Sequence, residues 1–147
     1  MFDIFVDNQG FLRKQPLDDT QYLNKLTPAQ NEMYRLLRAN LRKRLSSFPE
    51  GTRFLSEVKV YDPNKDEAGT IDFLAITPKG KVTILDWKSI NLNTKKYSDI
   101  PDYKQQYWRV QIGEYKSILA DNYGIKPEDV VKAEAVPIKT TFTPGLS

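Results

Sequence analysis

The sequence predicts an α/β domain in which one helix precedes three strands, a second helix and a last strand. Three observations indicate this order. Apolar residues recur at helical spacing in two separate segments, three short apolar segments bounded by turn residues lie between them, and a fourth follows the second helix. With 147 residues, the chain is long enough for one domain with a sizeable core and too short for two ordinary ones.

The first helix is predicted to begin at Thr27-Pro28, because threonine is a suitable N-cap and proline suits the first helical position. It ends near Ser46-Ser47. The apolar stripe that predicts its core-facing side consists of Met33, Leu36, Leu37, Leu41 and Leu45. Residues 1–26 hold a short alternating apolar segment and then polar, turn-prone sequence. We interpret them as an N-terminal arm of uncertain order beside a domain at 27–147.

The three central strands are predicted over residues 54–61, 70–76 and 81–87. The last two are joined by TPKG, a proline-glycine connection typical of a hairpin. Consecutive strands are therefore expected to pair antiparallel.

The second half of the chain begins with a polar loop over 91–102. A helix then runs from about residue 102 to Asn122 and ends at Tyr123-Gly124, where glycine supplies the usual C-terminal cap. The last strand is predicted over 130–138, and Pro137 within it indicates a strand end or a sheet edge.

The composition limits the chemistry that the chain can perform. Hydrophobic residues make up 39% and charged residues 28%, which is typical of a globular domain. The chain has no cysteine and no histidine, so thiolate and histidine-based catalysis are excluded and any bound metal must be a hard one with oxygen ligands. It has no apolar run long enough for a membrane span and no glycine-rich phosphate loop. We therefore expect a cytoplasmic protein of a bacterial or phage-infected cell, and a small-molecule enzyme is the least favoured alternative.

A basic segment lies in the second half of the first helix. The net charge is only +3, yet Arg35, Arg38, Arg42, Lys43 and Arg44 follow one another without an acid. Such a surface attracts phosphate, and Arg35, Arg38 and Arg42 are the predicted nucleic-acid contacts. The alternative is an ordinary solvated helix face.

Two aspartates interrupt the predicted hairpin. Strand alternation would place Ile71, Phe73 and Ala75 on one face, and would place Asp72 on the other face among apolar residues. An ionised carboxylate there is costly unless a charge compensates it, and a divalent cation is the strongest compensation.

The second aspartate falls close to the first. Asp86 and Lys88 share one face of the third strand and Trp87 lies on the other, and the TPKG turn brings Asp86 and Asp72 to the same edge of the sheet. Bound Mg²⁺ or Mn²⁺ would convert their repulsion into ligation. The alternative is that the aspartates cap turns and that Lys88 forms only an ion pair.

These residues resemble the core motif of the PD-(D/E)XK nuclease superfamily. Gly69-Thr70-Ile71-Asp72, followed by Asp86-Trp87-Lys88, is similar to the acidic motif, and Gln111 with Tyr115 resembles the additional motif of the RecB-like branch. The resemblance covers residues 28–138 and implies a restriction-endonuclease-like αβββαβ core with a mixed central sheet flanked by helices.

The resemblance also implies roles. Asp72 and Asp86 would bind Mg²⁺ or Mn²⁺, Trp87 would add its main-chain carbonyl, and Lys88 would act on the attacking water. Gln111 and Tyr115 would support the active centre or the DNA strand. The implied activity is deoxyribonuclease, of the kind found in exonuclease domains.

One part of the family pattern is missing. RecB-like nucleases usually carry a histidine or glutamate ahead of the first strand as a further ligand, and this chain has no histidine. Glu32 and Glu57 are the candidates, with Glu32 slightly preferred.

Two functions therefore remain open. The first is a metal-dependent DNA nuclease. In its favour, a nuclease domain that had lost its activity would have no physical reason to keep two mutually repelling acids beside a lysine. The second is a catalytically weak or inactive module that binds nucleic acid or a protein partner. RecB-like domains often belong to larger helicase-nuclease or phage recombination assemblies, so a longer chain or a larger assembly is the expected context.

Overall fold

Four strands and four helices form the part of the chain that the computed structural model describes, residues 1–90 and 97–139. The elements in chain order are α1 (Phe2–Phe5), α2 (Thr20–Leu23), α3 (Pro28–Ser46), β1 (Arg53–Asp62), β2 (Glu67–Ile76), β3 (Val82–Ile90), α4 (Asp102–Asn122) and β4 (Val130–Lys139). Short 3₁₀ turns lie at Tyr97–Asp99 and Pro127–Asp129. The predicted α/β class and the order of the main elements are confirmed, and residues 91–96 of the predicted 91–102 loop lie outside the described residues.

The four strands form one mixed sheet in the order β1-β2-β3-β4. The first three strands pair antiparallel, as predicted, and β4 pairs parallel with β3. Since α4 lies between β3 and β4 in the chain, it is the crossover that a parallel pair requires. Pro137 lies in β4, which is an edge strand, so the prediction from its missing N–H is confirmed.

The sheet has a hydrophobic core on each side. On the first side, α3 and the N-terminal arm cover buried residues that include Phe5, Leu41, Leu45, Phe54, Phe73, Ala75 and Leu85. On the second side, α4 covers buried residues that include Val60, Ile71, Leu74, Ile84, Ile112, Tyr115 and Ile118. We call these the α3 side and the α4 side.

Helix α3 begins as predicted. The Thr27 hydroxyl accepts a hydrogen bond from the Gln30 N–H at 3.2 Å, and the Gln30 side chain accepts one from the Thr27 N–H at 3.0 Å. This capping box satisfies donors that the helix itself cannot pair. The predicted apolar stripe is only partly correct, because Leu36 is 62% exposed. Leu36 lies about 200° around the helix from buried Tyr34, which faces the arm.

The N-terminal arm is an ordered part of the domain, so the expectation of uncertain order is wrong. Its predicted alternating segment is a helical turn that buries Phe5 in the core. The Gly10 carbonyl accepts a hydrogen bond from the Phe54 N–H at 2.7 Å, and Phe11 forms a β-bridge with Arg53. Gly10 has φ +92°, and a Cβ there would lie 2.8 Å from the Phe54 carbonyl oxygen, so this junction requires glycine.

Asp19 joins the arm to α3. Its Oδ2 atom accepts a hydrogen bond from the Tyr34 hydroxyl at 2.9 Å and lies 3.0 Å from Arg38 Nε. Burial raises the pKa of Tyr34, and the hydrogen bond to Asp19 raises it further. Arg38 also lies over the Phe5 ring, 5.5 Å from its centroid. The Asp19 carboxylate therefore accepts a hydrogen bond from one side chain of α3 and forms an ion pair with another.

Asp19→Ala is expected to lower the free energy of unfolding by about 2–3 kcal/mol, because it leaves the Tyr34 hydroxyl without its acceptor and the Arg38 guanidinium without its counterion. Urea denaturation measures the change. The matched control is Asp129→Ala, which removes an exposed ion pair with Lys81 and is expected to cost about 0–1 kcal/mol. Equal losses in the two variants would contradict the anchoring role of Asp19.

Candidate active site

The candidate site lies where β2 and β3 separate. Their antiparallel ladder ends at the Phe73–Leu85 pair, and the next residues in that register are Asp72 and Asp86. Asp72 Oδ2 accepts a hydrogen bond from the Trp87 N–H at 3.0 Å, so a side chain replaces the ladder carbonyl as acceptor. Beyond this point β2 pairs with β1 alone. The hairpin therefore brings the two aspartates together, as the sequence predicted.

The side-chain alternation of β2 changes at Asp72. Ile71 belongs to the core on the α4 side, whereas Phe73 and Ala75 belong to the core on the α3 side. The prediction that these three residues share a face is therefore wrong.

The cause lies in the neighbouring strand. Glu57 is opposite Asp72 in the β1–β2 register, and it has φ +52° and no place in the ladder. Phe54 packs on the α3 side while Val58 and Val60 pack on the α4 side, so β1 changes its alternation at the same level. Because β1 and β2 change their alternation at the same level, both strands bury apolar residues before and after that level. Asp72 stays at the gap between β2 and β3.

Asp86 and Lys88 point to the α4 side, and Trp87 points to the α3 side, as strand alternation predicted. The Trp87 ring packs against Phe73 with a centroid distance of 5.7 Å. Lys88 Nζ lies 2.8 Å from Asp86 Oδ2. Asp86 is only 4% exposed, so its charge is shielded from solvent and Lys88 is its close counterion.

Helix α4 holds the lysine in place. Lys88 Nζ donates a hydrogen bond to Gln111 Oε1 at 2.7 Å, and Gln111 Nε2 donates one to the Tyr115 hydroxyl at 3.1 Å. The Tyr115 hydroxyl in turn donates to the Thr70 carbonyl at 2.9 Å. Gln111 and Tyr115 are one turn apart on the helix, so both reach the sheet. The resulting chain of contacts joins β3, α4 and β2.

Gly69 makes room for this chain of contacts. A Cβ at Gly69 would lie 2.8 Å from Tyr115 Cε1, closer than carbon atoms approach without displacement. Tyr115 is buried among apolar neighbours and has little freedom to move. The glycine before Thr70 therefore permits the tyrosine to reach the strand.

The acidic pair opens into a cleft of about 540 Å³ between the sheet and α4. Its lining includes every residue of the network above, Ala68 of β2, and three residues of α4 that the sequence did not indicate, namely Tyr107, Val110 and Glu114. Tyr107 and Glu114 lie four before and three after Gln111, so helical spacing places them on the same side of α4, whereas Val110 is next to Gln111 in the sequence and has no such signal. Trp108 on the same helix is buried and does not line the cleft.

The electrostatics of the cleft favour a bound positive charge. Burial raises the pKa of Asp72 to about 7, with further contributions from a hydrogen bond to Asp86 and from the Asp86 charge. The Trp87 N–H and Lys88 oppose this rise. Burial also raises the pKa of Tyr115, and the charges of Asp86 and Asp72 add to it. At neutral pH, Asp72 is therefore poised to exchange a proton for a cation.

The two further acids proposed as ligands lie outside the cleft. Glu32 is exposed on α3 and lines a separate depression near Leu23, and Glu57 is exposed on β1. Within residues 1–90 and 97–139, no group of three or more acidic side chains is arranged to hold a metal ion.

The predicted phosphate-binding arginines also lie away from the cleft. Arg38 is paired with Asp19, Arg35 Nε donates to Asn31 Oδ1 at 2.7 Å, and Arg42 is exposed. All three belong to α3, which packs on the opposite side of the sheet.

Comparison with known proteins gives no match. No family model, no curated protein and no solved structure is significantly similar to this chain. In the described part of the chain, no helix combines the length and apolar character that a membrane span needs. The geometry of the cleft is therefore what supports a function.

Asp72→Asn is expected to stabilise the protein above pH 7 in metal-free buffer. The folded chain binds the Asp72 proton more tightly than the unfolded chain does, so the free energy of unfolding falls as the pH rises from 3.8 to about 7. The amide keeps an acceptor for the Trp87 N–H and removes the charge. Since the Asp72 carboxyl is half-buried, we expect the free energy of unfolding at pH 8 to be about 1–3 kcal/mol higher in the variant than in the wild type.

Urea denaturation between pH 5 and pH 8 measures this effect. Asp3→Asn is the matched control, because Asp3 is exposed and should leave the pH dependence as it is in the wild type. A wild-type stability that rises over this range, or an Asp72→Asn variant with unchanged pH dependence, would contradict the proposed proton on Asp72.

Proposed function

We propose that the chain is a metal-dependent nuclease that hydrolyses DNA phosphodiester bonds on a restriction-endonuclease-like αβββαβ core. The observation that carries this proposal is the meeting of Asp72 and Asp86 where β2 and β3 separate, with Lys88 Nζ 2.8 Å from Asp86. Paired carboxylates and an adjacent ammonium are suited to holding a divalent cation and to assisting attack on a phosphodiester.

The residues fit Mg²⁺ or Mn²⁺. Asp86 Oδ2 is buried, and it lies 2.8 Å from the Lys88 ammonium group without a well-directed hydrogen bond. The pKa of Asp72 is raised by burial first and then by the neighbouring Asp86 carboxyl, and a bound cation would offset both effects. Mg²⁺ is usually held by one or two carboxylates together with waters and substrate phosphates, so two aspartates suffice. The main-chain carbonyl of Trp87 is the proposed further ligand. When bound, the ion would stabilise charge on the phosphoryl oxygens and acidify a water molecule.

The protein side chains divide the remaining work. Lys88 has 19% of its side chain exposed, so its ammonium group can reach a phosphoryl oxygen or a water in the cleft. Gln111 fixes the direction of Lys88 through a 2.7 Å hydrogen bond, and Tyr115 fixes Gln111. Such preorganisation is valuable because the donors need not reorient as charge develops. Gln111 and Tyr115 are therefore proposed as positioning residues.

A second candidate function is a nuclease-fold module that binds nucleic acid, or a protein partner in a larger assembly, without efficient cleavage. The observation in its favour is that, among the described residues, no group of three acidic side chains is close enough to hold a metal ion. A weakly held ion would make hydrolysis slow.

Mn²⁺ is expected to raise the unfolding temperature by about 5–10 °C at an ion concentration about 100 times its Kd, because it binds only the folded protein. Asp86→Ala should abolish this rise. The rise should also shrink below pH 7, since the Asp72 proton competes with the ion. Glu32→Ala and Glu57→Ala are matched controls that should keep it. Differential scanning fluorimetry measures all four proteins, and a persistent rise in Asp86→Ala would remove Asp86 from the metal site.

Lys88→Ala is expected to reduce DNA cleavage by about 10²–10⁴-fold while it retains most of the Mn²⁺-induced rise in unfolding temperature. Cleavage is measured with end-labelled linear DNA and closed circular DNA in the same buffer. Loss of the linear substrate alone would indicate an exonuclease that needs an end. Undiminished cleavage by the variant would reject the role of Lys88, and no cleavage by the wild type would favour the binding module.

A further inference from the structure

Helix α4 carries an exposed apolar stripe beside the acidic cleft. Tyr103, Tyr107 and Val110 are 71%, 64% and 54% exposed. They occupy positions i, i+4 and i+7, so they lie along one side of the helix. Tyr107 and Val110 also line the cleft that contains Asp72 and Asp86. The stripe therefore leads along the helix into the candidate active site.

The stripe is separate from the face that α4 packs on the sheet. The buried residues of the helix are Trp108, Ile112, Tyr115, Ile118 and Leu119. The fold thus has no need of Tyr103 or Tyr107 in its core. Their Cα atoms are about 6 Å apart along the helix axis, since each residue adds 1.5 Å. Two exposed rings in sequence beside a site for phosphodiesters indicate a surface for flat, aromatic ligand groups.

We propose that Tyr103 and Tyr107 stack on the bases of a single-stranded nucleic acid whose backbone enters the acidic cleft. This inference rests on the proposed nuclease function, because it names the substrate class of the same site. Unpaired bases expose their faces to a protein, whereas bases in a duplex are stacked on one another. A stacking surface therefore favours a single strand, an overhang or a frayed end over intact duplex.

The charges along α4 fit this path. Lys104 is exposed and lies three residues before Tyr107, so its ammonium group can contact phosphates of a strand whose bases stack on the tyrosines. Glu114 also lines the cleft and lies about two turns of α4 beyond Tyr107, where its negative charge disfavours phosphate. The favourable route for the strand runs from Tyr103 past Tyr107 to Lys88.

Binding of a fluorescein-labelled single-stranded oligonucleotide, followed by anisotropy in EDTA, tests this inference without cleavage. Tyr107→Ala is expected to weaken binding by about fivefold or more, because stacking on one base contributes about 1–3 kcal/mol. Tyr103→Ala should also weaken it, whereas Tyr107→Phe should bind within about twofold of the wild type because the ring is retained. Leu36→Ala, which alters an equally exposed apolar residue on α3, is the matched control and should bind as the wild type does.

The inference is overturned if wild type and Tyr107→Ala bind the single strand equally, or if Tyr107→Ala loses the same affinity for duplex of the same sequence. A parallel cleavage assay with Mn²⁺ keeps this result apart from the nuclease proposal. Cleavage by the wild type with Tyr107-independent binding would reject the stacking surface alone. Tyr107-dependent binding of single strands without any cleavage would support the stacking surface and reject the nuclease.

Discussion

The closeness of two carboxyl groups, Asp72 and Asp86, is the constraint on which the rest of the site depends. Two unit charges about 4 Å apart repel by about 4 kcal/mol at an effective dielectric constant of 20. The protein offsets this repulsion with a proton on Asp72, with the Trp87 N–H and with the Lys88 ammonium group. Gln111, Tyr115 and Gly69 matter because they keep that ammonium group beside the acids.

Local sequence signals were sufficient to predict the main helices and strands and the meeting of the two aspartates. The Thr27 capping box, the hairpin connection and the glycine after α4 each act over a few residues, and the hairpin register then brings Asp72 and Asp86 together. The change of alternation at Asp72 was not predictable in this way. It depends on a positive φ at Glu57, a glutamate for which that conformation is unusual, and on cores that cover both sides of the sheet.

Contacts between distant parts of the chain account for the other differences. The arm is ordered because Phe5 fills the core and Asp19 pairs with Arg38, and neither contact has a local signature. The same pairing uses the charge of one of the basic residues of α3 within the fold, which the sequence pattern did not indicate. Conversely, Tyr107 and Glu114 were missed because a helix pattern shows which residues share a side, but not which side faces a cleft.

The edge position of Pro137 has a consequence for self-association. An edge strand offers unpaired N–H and C=O groups to strands of other molecules, and proline removes one donor from β4. At the opposite edge, Phe11 bridges to Arg53 and the Tyr123 hydroxyl accepts a hydrogen bond from the Tyr61 N–H. At both edges of the sheet, some of the backbone groups that could pair with a strand of another molecule are therefore missing or already bonded. This lowers the tendency of this small domain to aggregate through its strands.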